Sequence, residues 1–357
     1  MITALMLLAG FGLLVAGAES LVKGASKLAA SLGISPLVVG LTVVAFGTSS
    51  PELAVSMGAA FAGEADIAVG NVVGSNIFNV LFILGLSALM APLVVAQQLI
   101  RLDVPIMIGL SLLMPILGLD GHIGRFDGLL LVTLMVAYTV FLIRQSRKES
   151  KAVQEEYALE FAVGDEEKTL EAWKRDAIYV GVGIVGLIIG SKLLVGGAVR
   201  IAEALGVSEL VIGLTIVAMG TSLPEVAASV VASMRGERDI AVGNVVGSNI
   251  FNILAVVGLT SFIAPGGVPV SLDVLRFDFP VMVMVALACF PIFFTGMVIQ
   301  RWEGDLLLGY YLAYLAHVVL AAMGHSSLPV LDGYMLSFAM PITLITLLLF
   351  YRKGMAV

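Results

Sequence analysis

The sequence predicts an all-α membrane protein: two inverted repeats of five transmembrane helices, with broken helices at the midplane, followed by an eleventh helix. Three observations lead there. Of 357 residues, 59% are hydrophobic and 13% charged, with a mean hydropathy of +1.06, far from the composition of a soluble domain. About eleven apolar stretches reach the roughly 20 residues needed to cross hydrocarbon as a helix. The string DIAVGNVVGSNIFN occurs twice, letter for letter, at 66–79 and 239–252, which points to a duplicated unit. A β-barrel would instead show alternating segments of ~10 residues.

The spans fall in order near 3–27, 36–61, 67–91, 103–119 and 126–144, then 175–201, 209–234, 240–264, 277–297 and 303–323, with a last one near 332–351. Ala16-Gly17-Ala18 imitates a leader cleavage site, but no basic residue precedes it; the first stretch also aligns with 175–201, so it reads as a retained helix. Residues 36–80 match 209–253 at a constant offset with about 31 of 45 identities. RLDVP at 101–105 answers RFDFP at 276–280, and RFDG at 125–128 answers RWEG at 301–304. The chain therefore divides into a first unit (1–144), a charged loop (145–172), a second unit (173–323) and an extra terminal segment (324–357). Five spans per unit is odd, so the second copy enters from the opposite side, as in many secondary transporters.

Charge sets the orientation. With the amino terminus outside, about 15 of the 19 Lys and Arg face the cytoplasm, as the positive-inside rule requires. That predicts an inner, cell-membrane protein with its central loop and carboxyl terminus cytoplasmic. A single cysteine, Cys289, excludes a disulfide framework. No nucleic-acid partner is indicated; the bilayer is the surrounding partner, and the chain is read as a monomer or weak homodimer.

The chemistry sits in two short motifs. In AFGTSSPELAVS, Pro51 lacks an amide hydrogen and clashes with the carbonyl of Gly47; Gly47, Thr48, Ser49 and Ser50 form helix poorly. The span should break there, freeing carbonyls from Ala45 to Thr48, with Glu52 opening the resumed helix beside Ser49 and Ser56. Gly220, Thr221, Ser222, Pro224, Glu225 and Ser229 repeat the arrangement. Paired intramembrane acids are costly and mark function. Carboxylates, hydroxyls and carbonyls suit hard cations such as Ca2+ and Na+. In the fourteen-residue string, Gly70 and Gly74, like Gly243 and Gly247, have the spacing that lets helix backbones approach. Asn71, Ser75 and Asn79 share one face, as do Asn244, Ser248 and Asn252. Ser75, Asn79 and their counterparts read as ligands; Asn71 and Asn244 fit either ligation or packing. Asp66 and Asp239 read as helix caps. Tyr310, Tyr311 and Trp302 read as interfacial anchors, and His122, His317 and His325 lack metal-ligand spacing.

GTSxPE followed by GNVVGSNIFN, in two inverted copies, resembles the repeats of the Na+/Ca2+ exchanger family of Ca2+:cation antiporters, in its compact prokaryotic form. The resemblance covers about residues 1–323 and rests on highly specific motifs. It implies that Glu52 and Glu225 are central ligands shared by Ca2+ and Na+, with the Thr48 and Thr221 carbonyls completing the Ca2+ site. It implies one outlying Na+ site from Ala45, Thr48, Ser49 and Ser248, and another from Ala218, Thr221, Ser222 and Ser75, with Asn79 and Asn252 lining the centre. Many prokaryotic and all K+-dependent relatives carry Asp where Asn252 stands here, so the resemblance argues against K+ co-transport. Ca2+ and Na+ would be cargo, and no cofactor is implied.

The expected function is electrogenic Ca2+/Na+ antiport rather than enzymatic catalysis. Ca2+/H+ antiport through the same glutamates is the nearest alternative. A cation channel would show flux without coupling, and filters are more often built from rotational repeats than from inverted halves. An intramembrane hydrolase lacks an HExxH and any histidine near a candidate serine.

Overall fold

The computed structural model describes residues 2–32, 34–62, 66–146, 170–207, 209–294 and 296–343. Most of the charged loop, and the end of the expected last span, lie outside the described residues. Among those described, eight helices are long and apolar enough to cross a membrane, and a pair bent by 43° makes a ninth span. The chain is a multi-pass, all-helical membrane protein, as its composition predicts.

In chain order, α1 is Ile2–Leu32, and α2 (Pro36–Thr48) and α3 (Ser50–Ala62) are the bent pair. Then come α4 (Ile67–Met90), α5 (Leu99–Leu117) and α6 (Arg125–Ser146). The second unit repeats this with α7 (Leu170–Ala204), α8 (209–220) and α9 (Leu223–Met234). It continues with α10 (Arg238–Ile263), α11 (Val274–Phe294) and α12 (Arg301–Ala322). A further helix, α13, begins at Leu328–Tyr334 and runs on through a π turn at Met335–Ala339.

π-helical turns recur at matching places in both units: Gly40–Val44 and Gly213–Val217, Asn79–Leu84 and Asn252–Val257, Leu99–Asp103 and Val274–Asp278. A π turn slips the hydrogen-bond ladder by one residue and is frequent at functional positions. Two of these pairs flank the candidate site.

Small residues set the packing between units. α1 and α7 cross in such close contact that a Cβ on Gly17 would lie 2.8 Å from the Leu187 amide nitrogen, and one on Gly183 2.6 Å from that of Leu21. Such approach substitutes for a hydrophobic drive, which lipid cannot supply between helices. The loops are joined by two-residue antiparallel strands. β1 (Leu93–Val94) pairs with β4 (Val298–Ile299), and β2 (His122–Ile123) with β3 (Val268–Pro269), each joining one unit to the other.

Three expectations change here. Tyr311 is not an interfacial anchor: it is 5% exposed and packs edge-on against Phe78 and Phe82. Tyr310 donates to the Ala339 carbonyl at 3.0 Å and bonds Thr343 Oγ1 at 2.6 Å, holding the terminal helix. Asp239 lies in the first turn of α10 while Glu237 holds the N-cap position, because the helix starts two residues earlier than a cap at Asp239 requires. His317 sits 2.7 Å from Asp332 of α13 and stacks on Phe277.

Candidate ion-binding site

The break after Thr48 is local chemistry. Ser49 leaves the helical region (φ −82°, ψ 7°), and Pro51 then occupies the second position of α3, where no amide hydrogen is needed. Ser222 does the same before α9 (φ −91°, ψ 8°), with Pro224 at the matching place. Each glutamate thereby lands in the first turn of a new helix, whose N-terminal partial positive charge favours a carboxylate. The break is tighter than the sequence suggested. The Ala45 carbonyl still accepts the Ser49 amide at 3.0 Å, so it is not freed; the Gly47 carbonyl is the one that Pro51 cannot serve.

Glu52 and Glu225 are both fully buried, at 0% exposure. Two ionised groups in such a place are expensive without compensation. The compensation comes from across the molecule. Ser222 Oγ donates to Glu52 Oε1 at 2.7 Å, and Ser49 Oγ donates to Glu225 Oε1 at 2.8 Å. Each serine thus serves the carboxylate of the other unit, not the neighbouring one on its own helix. Ser75 Oγ lies 3.1 Å from Ser222 Oγ. Ser56 instead accepts from Asn71 Nδ2 at 3.1 Å, and Ser229 from Asn244 Nδ2 at 2.9 Å. The Thr48 hydroxyl has the Val44 carbonyl and Asn244 Oδ1 within reach, both at 3.1 Å. Asn71 and Asn244 are therefore engaged in packing between helices.

The remaining oxygens are the telling ones. Nine buried side-chain oxygens have no hydrogen-bond partner among the described residues: six belong to the two motifs, Glu52 Oε2, Glu225 Oε2, Asn79 Oδ1, Asn252 Oδ1, Thr221 Oγ1 and Ser248 Oγ, and three are the hydroxyls of Ser87, Thr260 and Ser261. Buried acceptors are ordinarily satisfied, and carboxylate, amide and hydroxyl oxygens are the groups that hard cations take as ligands. No third His, Cys, Asp or Glu joins the two glutamates as a metal-holding group among the described residues. Ala45 is buried at 0%, whereas its counterpart Ala218 is exposed.

Two residues escaped the sequence reading. Asn76 and Asn249, each 2% exposed, cross between the units: Asn79 Nδ2 donates to Asn249 Oδ1 at 3.0 Å, and Asn252 Nδ2 to Asn76 Oδ1 at 3.1 Å. Their signal was present. Both occur in the doubled string, three residues before Asn79 and Asn252, a spacing that shares a helix face.

An all-helical membrane protein built around paired intramembrane acids in a duplicated scaffold is the class that the fold and the site define. The pattern of one protein family, described as sodium/calcium exchanger protein, matches residues 2–144 and 176–320, and the chain belongs to that family. It is 36% identical over 340 residues to the sodium/calcium exchanger MaX1 of Methanosarcina acetivorans, covering 87% of this chain and 97% of that one. It is also 36% identical over 323 residues to the inner membrane protein YrbG of Escherichia coli, covering 87% and 95%. Among solved structures it is similar to the sodium-calcium exchanger NCX_Mj, with a TM-score of 0.76 and 30% identity over 88% of this chain and 98% of that one.

Proposed function

We propose that this protein exchanges Ca2+ against Na+ across the cell membrane by alternating access, electrogenically and without K+. The observation that carries the reading is the pair of buried carboxylates, one from each unit, each with a partnerless oxygen, together with four further partnerless oxygens from the same two motifs. Hard cations take several oxygen ligands at once. The proposed set is Glu52, Glu225, Asn79, Asn252, Thr48, Thr221, Ser49, Ser222, Ser75, Ser248 and the carbonyls of Ala45 and Ala218. The names of MaX1 and NCX_Mj point to the same cargo.

Charge arithmetic then gives the coupling. Two carboxylates neutralise one Ca2+ or two Na+, and a third Na+ leaves the site cationic, so a three-for-one cycle moves net charge. Competition for one carboxylate pair is the coupling device. An ion-filled site can reorient within the bilayer, while two bare buried charges oppose it. Asn252 supplies no further carboxylate for K+ or for a proton. The two five-helix units provide the two states, and the positive-inside distribution puts the amino terminus outside.

The test is Na+-gradient-driven uptake of radioactive Ca2+ into proteoliposomes. Glu52→Gln and Glu225→Gln should each abolish it, and retained uptake would sink the proposal. Uptake driven by a pH gradient in Na+-free buffer would transfer the same glutamates to Ca2+/H+ exchange.

A further inference from the structure

Asn79 and Asn252 are amides, and an amide has two faces. Its oxygen attracts a cation; its NH2 repels one. Something must hold the oxygens toward the guest. Nothing within either side chain does so, since a half-turn about the terminal bond exchanges the two ends with little change of shape.

We infer that Asn76 and Asn249 are positioning residues that fix the polarity of the Asn252 and Asn79 amides, so that their oxygens alone face the cation; the inference rests on the ion site proposed above. The geometry runs outside in. Asn76 Nδ2 has two neighbours, the backbone carbonyl of Asn249 at 3.3 Å and the Met282 thioether sulfur at 3.9 Å. Both only accept. Flipping Asn76 would set its oxygen against a carbonyl oxygen and a sulfur, so its own Oδ1 is forced to point the other way. That oxygen accepts from Asn252 Nδ2 at 3.1 Å. With its donor end committed, Asn252 can offer only Oδ1, and Oδ1 is among the buried atoms without a partner.

The other unit repeats every link. Asn249 Nδ2 faces the Asn76 carbonyl at 3.4 Å and the Met107 sulfur at 3.5 Å. Its Oδ1 takes the Asn79 amide at 3.0 Å, and Asn79 Oδ1 is left partnerless. The backbone carbonyls that anchor both chains lie three residues before the π turns opening at Asn79 and Asn252. Because each anchor belongs to the opposite unit, the two amides are oriented only when the units are in register.

The experiment measures the apparent Kd for radioactive Ca2+ on purified protein in nanodiscs, alongside Na+-driven uptake. Asn76→Leu should raise the Kd about tenfold or more, the usual cost of losing an orienting partner behind a metal ligand. In an Asn252→Ala background the same substitution should add less than about twofold, because residues acting through one another are non-additive. Asn249→Leu should weaken binding in the same way through Asn79, and should add less than about twofold in an Asn79→Ala background. An unchanged Kd in Asn76→Leu, or a full tenfold effect in both backgrounds, overturns the inference. Should Asn76→Leu fail to fold, an unchanged Kd in Asn249→Leu overturns it equally. A wild-type protein that binds no Ca2+ overturns the ion site and this inference together. Normal exchange with additive variants overturns the inference alone.

Discussion

The same fourteen letters are packed in two ways. In α10 the string lies against α2, and a Cβ on Gly247 would sit 2.7 Å from Leu41 Cα and 2.9 Å from Ala45 Cβ. In α4 a Cβ on Gly70 or Gly74 would meet nothing within 4 Å. The difference extends along the broken helices: Val44 is fully buried and Val217 is 48% exposed, Ile240 is fully buried and Ile67 is 45% exposed. Identical sequence in unlike surroundings means that neither arrangement is dictated by the string itself. It is compatible with both, which is what a chain must be if its two ends take turns at being sealed. On the proposed orientation, the sealed end is cytoplasmic and the parted end faces outside.

Substitutions can break this comparison, beginning with the largest effect. Gly247→Val forces a branched side chain into the backbone of α2. It should lower stability by about 1–3 kcal/mol, read as a fall in Tm in detergent, and stop transport. Gly74→Val meets open space, so stability should change by less than about 0.5 kcal/mol. Transport should nevertheless fail if that surface is needed for sealing in the other half of the cycle. Wild-type turnover in Gly74→Val would mean that α4 and α8 never close.

A second comparison concerns the two Asp–Tyr pairs. Tyr138 donates to Asp103 at 2.9 Å, and Tyr314 to Asp278 at 3.1 Å, from matching positions of the two units. Asp103 is fully buried and Asp278 half-buried. Tyr138→Phe should therefore cost about 1–3 kcal/mol, the penalty for stranding a buried acceptor, and Tyr314→Phe less. Equal Tm shifts would show that water does not reach Asp278. The smallest effect is expected at the surface. Arg235→Ala removes the exposed ion pair with Glu19, whose counterpart positions hold Ala62 and Lys192. The loss should be about 0.2–1 kcal/mol, and it should shrink in high salt.

The fold class and the breaks were legible because their causes are local. Composition fixes the solvent, and Pro51 with Gly47 decides where a helix can continue. The exchange of serines between carboxylates was not legible. Ser49 lies three residues from Glu52 on one helix, and only the crossing of the two units carries it to Glu225. Asn76 was passed over because the stripe through Asn71, Ser75 and Asn79 absorbed the polar face, while its partners lie in another unit and on Met282. The unlike packing of the two strings was invisible in principle, since it is a property of the state and not of the letters.

The small strands described with the fold bear on what can move. β1 with β4 and β2 with β3 stitch the loops around α4, α5 and α6 to those around α10, α11 and α12. The two pairings thus tie those six helices together across the units. The glycine-lined contact makes α1 and α7 a single strut, which the stitching leaves unfastened. If α1 and α7 shift against those six helices during transport, the breaks at Ser49 and Ser222, where the backbone leaves the helical region, are where the chain would bend.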